Sequence, residues 1–151
     1  MNIPTVKDRL EILQLGADIL APILVPHGFR FAIVASGGSS GGAFAHGDFV
    51  HGERRLELHF RWSLGLVAYH IGSLSLAHDD YLRALLGRSR AGHYPGTSEE
   101  PLAGFEALGK DLVEHCSDFV SGTGEQFRQC VERHRHYESL SPLQKMEYGG
   151  A

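Results

Sequence analysis

The apolar residues of this chain change period once, and that change limits the fold more than any other feature. Leu10, Leu13, Ala17, Leu20 and Leu24 recur at spacings of three and four, with Ile12, Leu15 and Ile19 widening the stripe. This predicts an amphipathic first helix behind an N-cap at Thr5, ended by Pro22 and Pro26. From Phe29 to Ile71 the period is two and glycines punctuate the segments. Leu56, Leu58, Phe60 and Trp62 alternate with Arg55, Glu57, His59 and Arg61, the signature of a strand with one buried and one polar face. Four strands are predicted, roughly 29–36, 43–51, 54–62 and 66–72. Their connections are short enough for hairpins, so the sheet is an antiparallel meander and not a βαβ array.

Beyond the sheet, Ala77 to Leu86 reads as a short helix stopped at Gly87. Pro101 opens a longer one with the stripe Leu102, Phe105, Leu108, Leu112, Cys116 and Phe119, closed by Gly122. Thr123 and Gln126 fit a capping box for a last helix facing inward with Phe127, Cys130, Val131 and His134. The expected architecture is α+β: an N-terminal helix, a four-stranded antiparallel meander, then three helices packed mainly on the Leu56/Leu58/Phe60/Trp62 face. At 151 residues and 42% hydrophobic the chain fits a single domain over 1–139, with 140–151 a loosely held tail.

Turn geometry decides what shares the polar face. A two-residue turn at Leu64-Gly65 pairs Trp62 with Val67, Phe60 with Tyr69, Leu58 with Ile71 and His59 with His70. A turn at Gly52-Glu53 sets Phe49 opposite Leu56, Gly47 opposite Leu58, Ala45 opposite Phe60 and His46 opposite His59. A turn at His51-Gly52 instead places His46 opposite Glu57 and Asp48 opposite Arg55. Either register keeps His46, Asp48, Glu57, His59, Arg61 and His70 on one face, as candidate binding residues.

Those residues carry two chemical readings. His46, His59 and His70 in a row supply the donors of a three-imidazole zinc site, although rings on neighbouring strands start about 5 Å apart and the outer pair must lean inward to share one ion. Glu57 and His59 supply an acid–base pair, with His59 and His70 as ligands or bases and Glu57 as orienter. The other reading is a solvated or partner-facing sheet surface, with no resident metal.

Elsewhere the signals are weaker. Gly37 to Gly41 satisfies G-x-S-x-G with Ser39 in the nucleophile position, but that elbow needs a helix to follow and here a strand follows. SGGSSGGAFAHG is therefore expected to be a flexible hairpin loop. A net charge of −4, from 18 acids against 14 bases, argues against general affinity for nucleic acid or anionic membrane. RQCVERHRHYE reads as a solvated helix face, and Glu99, Glu100, Glu106, Asp111, Glu114 and Asp118 as an acidic one. The 10 histidines make the chain's charge sensitive to mild acid. Cys116 and Cys130 fit no metal spacing and lie on apolar stripes, so buried free thiols and a reducing cytoplasm are expected. No window approaches the apolar length of a membrane span.

The helix running into APILVPHGFRF, followed by GDFVHGERRLELHFRWSLGLVAYHIG, resembles an uncharacterised group of small bacterial α+β proteins. It is also similar in layout to some immunity proteins of polymorphic toxin systems, in which a Pro-x-Gly-Phe element links the first helix to the sheet. The matching residues are Pro26, His27, Gly28 and Phe29, and the likeness covers roughly residues 5–72. It implies a protein that works by binding another protein, and it assigns no catalytic or binding residue.

Overall fold

A computed structural model describes residues 6–39, 42–88, 92–96, 98 and 100–149. Helix α1 (Val6–Leu24) is followed by a 3-10 turn at Val25–His27 and by Gly28, whose φ of 98° is a left-handed conformation open to glycine. Five strands follow: β1 (Arg30–Ser39), β2 (Gly42–His51), β3 (Arg54–Phe60), β4 (Leu64–Ile71) and β5 (Leu74–Ala77). They form one antiparallel sheet in the order of the chain. Then come α2 (His78–Leu86), α3 (Ala103–Glu114), α4 (Ser117–Ser121), α5 (Glu125–Ser139) and α6 (Pro142–Gly149). The α+β meander stands, with one strand more than the period-two pattern predicts.

The core lies between one sheet face and the helices. Phe49, Leu56, Leu58, Phe60 and Tyr69 from the sheet meet Leu13, Leu20 and Leu24 of α1, Phe105 and Leu108 of α3, Phe119 of α4 and Phe127 of α5, all at 0–1% exposure. α1 passes through Pro22 because Leu20 and Leu24 carry its buried stripe beyond that residue. Its Asp8–His27 stretch is by length and composition apolar enough to cross a membrane, which corrects the expectation that no window reaches that length.

Several elements differ from their sequence patterns. Gly37, Gly38 and Ser39 pair with Phe44, Ala43 and Gly42, so most of the supposed flexible loop is strand ladder, and only its tip at 40 and 41 lies outside the described residues. β1 carries a bulge at Val34, between the pairs Ile33–Gly47 and Ala35–His46. Trp62 is not in the core: it is 65% exposed on the bend at 61–63, with the Arg9 guanidinium 4.7 Å above its ring. The long third helix breaks at His115 into α3 and α4. No Thr123–Gln126 box caps α5. The Asp118 carboxylate accepts from the Gly124 and Phe127 amides at 3.2 and 3.0 Å instead. The expected tail contains α6, opened by a reciprocal box in which Ser141 N donates to Gln144 Oε1 and Gln144 N to Ser141 Oγ.

Candidate functional site

The polar face of the sheet is assembled by the β2–β3 hairpin. Gly52 takes a φ of 59°, the left-handed conformation of a two-residue hairpin turn, and so sets His46 opposite His59 and Asp48 opposite Glu57. Of the two registers the sequence allows, this is the Gly52-Glu53 one. It matches Ala45 and Gly47 against Phe60 and Leu58 on the core side, small against large, and puts the four polar side chains together on the other. The helices contribute their buried side chains to the core face.

The β3–β4 pairing departs from expectation. Arg61 N bonds Ser63 O across a tight bend, Phe60 pairs with Leu64, and Leu56 sits opposite Tyr69. His70 therefore faces Arg55 and not His59, and the row of three histidines does not form. What draws the turn here is remote. Tyr94 O–H reaches the carbonyls of Leu64, at 2.6 Å, and Gly65 from a segment thirty residues on.

Two carboxylates organise the face. Glu57 Oε2 accepts from His59 Nε2 at 2.6 Å and Oε1 from His70 Nε2 at 2.8 Å, with Arg55 Nη1 3.6 Å from Oε1. Asp48 accepts from His46 Nε2 at 2.9 Å and from Arg55 Nη1 at 3.1 Å. An ionised carboxylate only accepts, so in these contacts each imidazole carries its proton on Nε2. Burial opposes ionisation of Glu57, but the hydrogen bonds and charge of His59 and His70 outweigh it and hold its carboxyl below the ordinary 4.5. The His46 and His59 rings stack at 3.9 Å, and His46 Nε2 lies 4.0 Å from Glu57 Oε2. Five of the six candidate residues thus converge. Arg61 does not: its guanidinium donates to Gly42 O and lies over Phe44. Arg55 takes the cationic place among the carboxylates.

The hollow beside His59, bordered by Phe44, Phe60, Arg61 and Leu66, measures about 220 Å³. That is below the roughly 300–1,000 Å³ of a small-molecule pocket. Larger clefts of about 490 Å³ beside Arg9 and Trp62, and about 420 Å³ beside Arg54 and Gly122, contain none of the cluster.

A second polar constellation lies inside the core, where no motif pointed. His78 Nε2 donates to Asp111 Oδ2 at 2.9 Å, and Tyr69 O–H donates to His78 Nδ1 at 2.7 Å. The Cys116 thiol lies 3.8 Å from the Tyr69 hydroxyl. Asp111, expected on an exposed acidic face, is 0% exposed and also accepts the amides of His93 and Tyr94 at 2.6 and 2.9 Å. Burial opposes its ionisation, but these donors outweigh it and hold its pKa below 3.8. Burial pushes the Cys116 thiol up to about 12, so it stays protonated and inert. This relay fixes the 92–96 segment onto α3 and β4. The sequence signal for it was a charged residue inside an apolar stripe, Asp111 between Leu108 and Leu112.

Compared with protein-family models, curated proteins and solved structures, the chain matches none.

Proposed function

We propose that the chain is a non-enzymatic protein-binding module whose contact surface is the polar face of the sheet. The observation that carries this reading is the one-sided fold: the helices build their core against one face, while the other presents a semi-buried His/Asp/Glu/Arg centre flanked by exposed Val50 and Leu66. Its composition suits a macromolecular interface, which favours Arg over Lys. The chain has three lysines, Lys7, Lys110 and Lys145, and none is in the sheet, whose cations are Arg30, Arg54 and Arg55, with Arg61 on the bend after β3. The resemblance in layout to immunity proteins points the same way. Buried free thiols suit a reducing cytoplasm as the place of action.

The alternative, an acid–base enzyme using Glu57 and His59, has their 2.6 Å contact in its favour and the small hollow against it. Photo-crosslinking in the native host separates the two. A photoreactive residue at Leu66 should capture one discrete protein, the same residue at Glu132 on α5 should not, and Val50→Glu should abolish the capture. Equal capture from both positions, or none from Leu66, overturns the binding reading.

A further inference from the structure

Three potential metal-ligand side chains lie close together on the open face. Strand alternation puts Glu57 and His59 on the same side of β3, two residues apart, and the register brings His46 directly across from His59. The two rings stack at 3.9 Å, with His59 Nε2 2.6 Å and His46 Nε2 4.0 Å from Glu57 Oε2. The ligand atoms of His46, Glu57 and His59 all lie within 4.8 Å of one another, and the three side chains are partly exposed, so an ion can reach them from solvent.

We propose that His46, Glu57 and His59 form a binding site for one transition-metal dication, of which Zn²⁺ is the best match. Two imidazoles and one carboxylate suit a borderline-soft cation and leave a fourth position open, whereas Mg²⁺ and Ca²⁺ prefer all-oxygen shells. Zinc bonds of about 2.0–2.1 Å put tetrahedral donors about 3.4 Å apart. The present separations of 2.6 Å from His59 and 4.0 Å from His46 to Glu57 Oε2 straddle that value, and on binding the two imidazoles tilt out of their stack to bring both lone pairs onto one ion.

The ion takes the place of the Nε2 protons, and each imidazole then carries its proton on Nδ1. Charge favours it: Asp48 and Glu57 bring two negative charges against the single guanidinium of Arg55. The outer groups are in place as well. His70 and Arg55 hold Glu57 Oε1 and leave Oε2 on the side of His59 and His46, while Asp48 Oδ1, 2.9 Å from His46 Nε2, adds a further oxygen. The ligands differ from the three-histidine row that strand parity suggests: Glu57 stands in for His70, which becomes a positioning residue. The proposal is independent of the protein-binding reading, because the isolated chain and the metal alone suffice to test it.

The experiment titrates Zn²⁺ into the full chain, free of any histidine tag, in competition with a chromophoric chelator. Co²⁺ serves as a spectroscopic stand-in. The expected result is one equivalent per chain and a Co²⁺ ligand-field spectrum of four- or five-coordination. His46→Ala and His59→Ala should each weaken binding at least about tenfold. His93→Ala, which removes a ring from the exposed His93–Glu114 pair, should leave it unchanged. His70→Ala should weaken it about tenfold, and His70→Gln, still able to donate to Glu57, should restore most of the loss. Should a variant fail to fold, ring resonances of the unmodified chain decide, with His46 and His59 shifting on zinc addition and His136 not. Absence of stoichiometric uptake, uptake undiminished in the double His46→Ala/His59→Ala variant, or unmoved His46 and His59 resonances overturns the site.

Discussion

Asp111 is the residue on which the interior turns, since one carboxylate serves His78 and two amides with no access to water. Removing its charge leaves those donors with a weaker acceptor. Asp111→Asn should cost about 3 kcal/mol, measured by chemical denaturation at neutral pH. The pH dependence has a definite sign. The folded pKa lies below the unfolded value of 3.8, so the ionised group stabilises the protein above that value, and the contribution is lost as pH falls through the folded pKa. The gap between wild type and Asp111→Asn should therefore be full at about pH 6 and shrink steadily below about pH 4. A gap independent of pH contradicts the ionised assignment. The charged position in the stripe was visible in the sequence. Its partners were not, because His78, His93 and Tyr94 lie on other segments that only the fold brings near.

At the scale of elements, β3 separates two environments along one strand. Phe60→Ala should cost about 3–5 kcal/mol as a core truncation. His59→Ala, at a ring more than a third open to solvent, should cost less than about 1 kcal/mol in the metal-free protein. Paired denaturation curves check this, and equal losses contradict a face free of packed helices. The same strand marks the limit of legibility. Its pairing with β2 could be narrowed to two registers, because hairpin turns are local, and the turn at Gly52-Glu53 decides between them. Its pairing with β4 could not. The bend at 61–63 is held by Tyr94, far along the chain, and it frees Trp62 to meet Arg9 while setting Tyr69 where it reaches His78. Alternation marked the faces of Glu57, His59 and His70 correctly, and the shifted register decided which of them meet.

Taken as a whole, the molecule is a sheet with two unlike sides and two unlike edges. One edge is the four-residue β5, and the other is the ten-residue β1. An outermost strand of that length presents free backbone groups to any passing extended chain. The unpaired Val34, 53% exposed, interrupts that row near its middle. Deleting Val34 should make the ladder with β2 continuous and turn the rim into a template, so that light scattering detects concentration-dependent association the intact chain lacks. An unchanged scattering profile contradicts this role. The misfit at Val34 is then a guard against polymerisation, keeping one copy of this chain from adding its strand to the next.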